Sequence, residues 1–311
     1  MTALYPILGS VIAILIALSL ITALVREQFA PDGSNDVVET INATLVVWWG
    51  MVIVFWLASL VGHTGVILLF LALSFAALRE FLTLTTKKRA DHYALLLAFV
   101  FVLPFQYYLL WIDWYGLYSI FIPVYAFLIL PVVSVLRGAT QDFLIRVAET
   151  QWALMICVFC ASHVPALLLL DIPGFEGGNV LLIVYLVAVV QINDLMHYLF
   201  AKLVGRRKVV PHIEASKTWE GVTGGFVSAL LLGTLLWWIT PFAPWQAFLV
   251  SLVLCLSGLG GHMVMTAIKR DRGVKDWGHL VPGHGGFVDR LDSVIFAAPL
   301  FFHTVRYFWA V

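Results

Sequence analysis

Apolar positions in this chain do not alternate with polar ones. They come in long runs broken by short polar connections, and in windows of about 19 residues the runs number roughly ten. They cover Leu4–Val25, Leu45–Val61, Gly65–Leu84, Tyr93–Ile112, Leu117–Leu136, Trp152–Leu170, Val180–Leu199, Val222–Ile239, Trp245–Ala267 and Leu291–Trp309. A helix of about 20 residues crosses a hydrocarbon core about 30 Å thick. The pattern therefore predicts an all-α fold, a polytopic integral membrane protein with about ten transmembrane helices. The first run lacks the basic flank and small-residue cleavage site of a leader, which predicts a retained span.

The connections carry the charge. Lys and Arg fall at or near the connections that follow odd-numbered runs: Arg26; Arg79 with Lys87, Lys88 and Arg89; Arg137 and Arg146; Lys202 through Lys217; Lys269 through Arg290. Arg306, near the C-terminus, is the one exception. The connections after even-numbered runs hold no basic residue, so the positive-inside rule places the basic loops in the cytoplasm and both termini outside. The first of these loops has a turn signal at Pro31–Ser34, and Asp36–Ile41 reads as a short surface helix.

Composition agrees: 62% of residues are hydrophobic, 12% are charged, and the formal net charge is zero, with a mean hydropathy of +0.97. The three cysteines, Cys157, Cys160 and Cys255, all lie inside apolar runs. Thiolates are costly there, so helix packing explains them better than metal or redox chemistry. Tryptophans near run ends read as interfacial belts.

Three places depart from this apolar background. Arg79 and Glu80 sit within the third run, where ionisable groups are expensive and either pair or join a site. The seventh run ends on Gln191, Asn193, Asp194 and His197, with Asp194 and His197 on one helix face. A basic loop comes next, then Glu214-Ala215-Ser216-Lys217-Thr218-Trp219-Glu220-Gly221, whose hydroxyls, ammonium and backbone amides suit a phosphate. The third place is Thr266–Asp292. Its cations Lys269, Arg270, Arg272 and Lys275 suit an anionic ligand, and Asp276, Asp289 and Asp292 are hard oxygen donors suited to Mg2+. The glycines around His284 let backbone approach phosphate closely. These residues describe a membrane-interface site for a phosphorylated ligand and a metal, and favour an enzyme over an anionic-lipid binder or transporter.

Lys269-Arg270, Lys275-Asp276, Gly278, Pro282, His284-Gly285-Gly286, Asp289-Arg290 and Asp292 resemble, in identity and spacing, the signature of the phosphatidate cytidylyltransferases (CDP-diacylglycerol synthases). A second family block is echoed by Asp194, Gly205-Arg206 and Ser216 through Gly221. The resemblance is close over the C-terminal third and loose over the whole chain. It implies transfer of CMP from CTP to the phosphate of phosphatidate or a related phospholipid acid, with release of pyrophosphate. It also implies catalytic roles for Lys269, Lys275, Asp276, His284, Asp289 and Arg290. Substrate would be bound by Arg206, Ser216, Lys217, Thr218, Arg270, Gly285 and Gly286. The expected cofactor is Mg2+, with or without a second cation, on Asp289, Asp194, Asp292 and His262.

Four features depart from the family pattern. Where family members carry a metal-sharing Asp before the signature, this chain has His262 after Gly261; Met265 replaces a Glu and Thr266 the opening Ser; and the loop reads Ser216-Lys217 without an intervening Pro-Lys. Neutral imidazole is a poor magnesium ligand, so Asp276, Asp194 or Asp292 takes over, or one metal is lost, or the chemistry has drifted. His262 is open between a transition-metal ligand, a phosphate partner and a packing histidine. The chain reads as a single transmembrane domain over 1–311, with N-terminal spans in 1–175 and a catalytic part in 176–311 whose cytoplasmic loops are 200–221 and 268–290. The expected setting is the bacterial inner (plasma) membrane, with the site facing the cytoplasm. Expected partners are CTP, the phospholipid acid, membrane lipids and, as one option, a second copy in a homodimer; nucleic acid is not among them. The competing readings are a CTP-dependent lipid-alcohol kinase and a non-catalytic anionic-lipid binder or transporter.

Overall fold

The structure is a computed structural model, and it describes residues 4–29, 36–86, 88, 91–136, 138, 140–278 and 285–311. The turn expected at Pro31–Ser34 and the basic residues Lys87, Arg89 and Arg137 lie outside them, as do Pro282 and His284 of the signature.

Long helices make up almost all of the described chain: α1 (Leu4–Phe29), α2 (Asp36–Leu60) and α3 (His63–Thr83), then α4 (His92–Trp111), α5 (Tyr115–Val135), α6 (Phe143–Leu169), α7 (Asn179–Val204), α8 (Trp219–Ile239) and α9 (Pro244–Asp271), and α10 (Val288–Trp309). Among the described residues the first nine are long and apolar enough to cross a membrane. Helix α10, at 22 residues, has the length but carries Asp289, Arg290 and Asp292 in its first turns. The all-α, polytopic expectation with about ten spans is borne out.

The boundaries differ where charge is neutralised. Asp36–Ile41, expected as a separate surface helix, is the start of α2, because no Gly or Pro interrupts the run into it. Helix α6 begins at Phe143 rather than Trp152, taking Arg146 and Glu149 into the helix. Arg146 Nε lies 2.8 Å from Asp91 Oδ2 with both side chains buried, and its Nη1 donates to the Gln141 carbonyl. Ser134 also donates to Asp91 (2.9 Å). Paired in this way, a charge no longer ends a helix at the edge of its apolar window.

The chain divides into two compact units. The first comprises Met1–Leu60, Asp171–Cys255 and Val311. Its centre is the contact of α7 with α8, where small residues recur every fourth position at Gly221, Gly225, Ala229 and Gly233. A Cβ at Gly225 would lie 2.8 Å from the Asn193 carbonyl oxygen, and one at Gly221 would lie 2.8 Å from that of His197. The helices touch through their backbones, as small-residue ridges allow in membranes. Tyr185 on α7 donates to the Ala247 carbonyl at 2.9 Å and meets Ser251 at 2.7 Å, fastening α9. Trp48 Nε1 on α2 donates to Gln191 (3.3 Å).

The second unit comprises Val61–Leu170 and Leu256–Ala310. Three of its helices carry π turns, at Ala98–Val102, Phe121–Ala126 and Met155–Cys160. Pro104 follows the first and Pro123 lies in the second. Proline has no N–H, so the carbonyl four residues back loses its donor and the ladder re-registers. Buried polar side chains find partners within the unit: Ser74 with Tyr107 (2.6 Å) and Tyr118 with Ser162 (2.9 Å). Cys157 and Cys160 are free thiols in α6.

Candidate functional site

In the second unit the signature starts on α9 itself, which runs on to Asp271 and so carries Lys269 and Arg270 as its last basic turn. Gly273, at a φ of 69°, ends the helix, and the Val274 N–H closes back on the Lys269 carbonyl at 3.0 Å. Left-handed φ favours glycine at such a stop. Arg272 is held aside: its Nη2 lies 2.7 Å from Glu149 Oε1, and Glu149 Oε2 accepts the Thr86 N–H (2.7 Å). Lys275 and Asp276 are exposed, whereas Trp277 is buried and stacks on Phe81 at 4.6 Å.

Asp289 organises the rest of the loop. Its Oδ1 accepts from Lys269 Nζ at 2.6 Å, and its Oδ2 accepts the N–H groups of Trp277 (2.9 Å) and Gly286 (2.8 Å). One carboxylate on the first turn of α10 thus ties together the end of α9 and both described ends of the loop. Gly285, at a φ of 81°, lies between carboxylates: a Cβ there would be 2.9 Å from Asp289 Oδ2 and 3.3 Å from Asp276 Oδ1. Asp276 and Asp289 therefore converge on one small cradle. Arg290, partly buried, is drawn electrostatically to Asp289, Asp292 and Asp276.

Asp292 faces elsewhere. Nδ1 of His262 lies 2.9 Å from its Oδ2, and its Oδ1 accepts the Ser293 N–H (2.7 Å). The imidazole standing where family members carry a carboxylate is thus the partner of the buried Asp292. Among the described residues, no three His, Cys, Asp or Glu side chains gather into a metal cage.

In the first unit, α7 ends at Val204 with Asn193 and His197 buried and Asp194 partly so. Next comes an element the apolar pattern did not predict, a small antiparallel hairpin of β1 (Lys208–Val210) and β2 (Glu214–Thr218) with a bulge in its register. Its base is clamped by Glu220, which accepts the N–H groups of Arg206 (3.0 Å) and Arg207 (3.1 Å). The Thr218 hydroxyl oxygen caps α8 by accepting the Gly221 N–H (3.1 Å), a standard threonine role at a helix start. Ser216 donates to Glu214 (2.9 Å), and the Arg206 side chain is exposed. Lys217 is different: only 7% exposed, it has no acidic partner among the described residues.

The residues expected from sequence thus fall into separate groups. Lys269, Asp276, Gly285, Gly286 and Asp289 come together around the loop closure, with Arg290 beside them. Lys275 and Arg270 are exposed at its edge, and His262 with Asp292 forms a neighbouring pair. Asp194, Arg206, Ser216, Lys217 and Thr218 belong to the other compact unit, and His284 lies outside the described residues. Sequence reasoning missed three anchors. Glu80 on α3 accepts the Phe287 and Val288 N–H groups (3.1 and 2.7 Å), Glu149 holds Arg272, and Glu220 holds the hairpin. Glu80 stands out as a charge inside an apolar run and Glu220 as part of the Ser216–Gly221 block, though neither role could be read from residue type; Glu149 gives no signal.

The sequence pattern of the cytidylyltransferase family matches residues 42–308. The chain is 39% identical over 305 residues to the uncharacterized protein YnbB of Escherichia coli (strain K12), an alignment covering 96% of this chain and 97% of that one. It is 31% identical over 261 residues to the phosphatidate cytidylyltransferase of Bacillus subtilis (strain 168), covering 82% and 94%. It is also 37% identical over 127 residues to that of Staphylococcus saprophyticus, covering 40% and 48%. With a matching pattern over most of its length and these relatives, the chain belongs to the cytidylyltransferase family.

Proposed function

We propose that this protein transfers CMP from CTP to the phosphate of phosphatidate or a related phospholipid acid at the cytoplasmic face of a bacterial inner membrane. The observation that carries the reading is Lys217. A largely buried lysine whose ammonium has no carboxylate partner among the described residues is suited to meet an anionic ligand. It lies in one of the two blocks that resemble the phosphatidate cytidylyltransferases, and the relative from Bacillus subtilis bears that name. The distribution of Lys and Arg between connections supports the cytoplasmic orientation.

In the reaction an oxygen of the lipid phosphate attacks the α-phosphorus of CTP. The bond from that phosphorus to the bridging oxygen breaks, and its electron pair leaves on pyrophosphate. The nucleophile is already an anion, so no strong base is required, and the barrier is mostly charge repulsion and alignment. Lys275 and Arg290 screen phosphate charge beside the loop, Lys269 holds Asp289 in place, and Lys217 with Ser216 meets phosphate oxygens at the hairpin.

The donor set suits magnesium in one respect. Mg2+ is commonly carried by one or two carboxylates together with substrate phosphates and water rather than by a full protein cage. The Asp276 and Asp289 carboxylates converging on Gly285 fit that use better than Asp292, which His262 occupies. Bound there, the cation would be held by Asp276 and Asp289 and would neutralise phosphate charge.

The test uses purified full-length protein with labelled CTP, Mg2+ and a panel of phospholipid acids. One lipid-linked CMP per pyrophosphate is expected. Release of CDP instead would identify a lipid-alcohol kinase. Folded protein that forms no CMP-lipid with any acceptor would overturn the reading.

A further inference from the structure

We infer that Glu80 is a positioning residue: from within a membrane helix its carboxylate holds the Phe287 and Val288 amides at the start of α10 and so sets the direction in which Asp289 presents its oxygens. Its catalytic consequence rests on the transferase reading; its structural content does not.

Glu80 is 7% exposed and sits in the last turn of α3. A carboxylate there is expensive unless its charge is met. Its neighbour Arg79 is exposed, and among the described residues Glu80 makes no ion pair. Backbone amides meet the charge instead. Oε1 accepts the Phe287 N–H at 3.1 Å and Oε2 the Val288 N–H at 2.7 Å. These are donors at the positive start of α10, which has no side-chain cap of its own. A charged acceptor at that place is stabilised by the orphan N–H groups and the helix dipole together.

The glycines show how closely the carboxylate is embraced. A side chain on Gly278 or on Gly286 would collide with Glu80 Oε1, and a Cβ on Gly286 would lie 2.6 Å from Gly278 N. Both ends of the loop therefore meet on this one group. The next residue of α3, Phe81, stacks on Trp277, so two consecutive side chains grip the loop's start and finish. Asp289 binds the same closure through Trp277 N and Gly286 N. If Glu80 lets go, Gly286 and the first turn of α10 lose their reference, and Asp289 is reoriented without any direct contact to Glu80. A residue needed only to pack α3 would be apolar; the amides require an acceptor.

The test compares wild type, Glu80→Gln and Glu80→Leu in lipid nanodiscs, by hydrogen exchange at the amides of 276–278 and 285–290, thermal unfolding, and kcat and KM for CTP. The expected result is at least a tenfold loss of protection at those amides for both variants, with global unfolding unchanged or, for Glu80→Leu, raised. In active protein, kcat falls at least tenfold while KM for CTP moves less than threefold. Unchanged protection and kcat in a folded variant overturn the inference. So does failure of both variants to fold, since Glu80 would then serve the whole fold. A wild type that transfers no CMP, together with increased loop exchange in Glu80→Gln, defeats the transferase reading and leaves the positioning role standing.

Discussion

Replacing Asp289 by Asn tests how far the loop depends on one carboxylate. The carboxylate serves three donors: the Lys269 ammonium on Oδ1 and the Trp277 and Gly286 amides on Oδ2. An amide side chain keeps one oxygen. If that oxygen faces the two backbone N–H groups, its NH2 points at a lysine that had been 2.6 Å away, and Lys269, whose side chain is 9% exposed, is left unpaired. If the oxygen turns to Lys269, two backbone N–H groups lose their acceptor, each at about 1–3 kcal/mol when buried. Either way the cost is about 2–3 kcal/mol after allowing for the edge exposure of the pair. The loss is local, so the assay is hydrogen exchange at the Trp277 and Gly286 amides. At about 1.4 kcal/mol per tenfold, protection should fall by about 30- to 150-fold. Adding Lys269→Met should recover much of that protection, because the lone ammonium is gone, without recovering CMP transfer. Protection within about threefold of wild type in Asp289→Asn would refute the reasoning and leave Asp289 free to act as a metal ligand alone.

The same geometry sets three further outcomes. Lys217→Met should unfold no more easily than wild type, because the charge it removes makes no ion pair among the described residues, yet lose at least tenfold in CMP transfer; a variant that is both destabilised and active would contradict the anion-site reading, as scored by melting and steady-state kinetics. Gly225→Ala should destabilise by about 1–3 kcal/mol through overpacking against α7, where its Cβ would sit 2.8 Å from the Asn193 carbonyl oxygen. By contrast, Gly260→Ala, with nothing within 4 Å of its Cβ, should be neutral or gain up to about 1 kcal/mol in helix propensity; denaturation of the two in one detergent decides it. His262→Asp would set a second carboxylate against Asp292, so the cation-free protein should melt lower than wild type and Mg2+ should raise its melting point more than it raises that of wild type, by mass action on the folded state.

The fold is legible because a bilayer imposes length and hydropathy on every crossing, and neither needs long-range information. Sequence misleads where a local charge is neutralised by a residue far away in the chain. Arg146 reads as a loop residue until Asp91 is seen beside it, and Lys269 and Arg270 read as loop residues because a hydropathy window stops at charge, whereas a helix stops at Gly273. The three-residue strand Lys208–Val210 carries no apolar alternation long enough to detect. It is held by pairing with β2 and by Glu220 accepting the Arg206 and Arg207 amides, contacts to backbone that residue type does not reveal.

The same distinction runs through the candidate site. Motif spacing identifies which residues stand together in sequence, but not what each carboxylate is bonded to, and carboxylates differ only in their partners. Asp289 and Asp292, three residues apart on one helix face, look interchangeable as metal ligands. Folded, one is committed to Lys269 and two amides, the other to His262. Taken as a missing magnesium ligand, His262 looks like a loss. Paired with Asp292, whose oxygens also meet the Ser293 amide, it supplies a donor where a second carboxylate would have required a cation. The pair therefore keeps the start of α10 closed without metal at that position, and leaves Asp276 beside Asp289 at Gly285. A chain altered in this way can retain phosphate chemistry while depending less on divalent metal for its resting structure, so magnesium should change the rate of wild-type protein far more than its melting point.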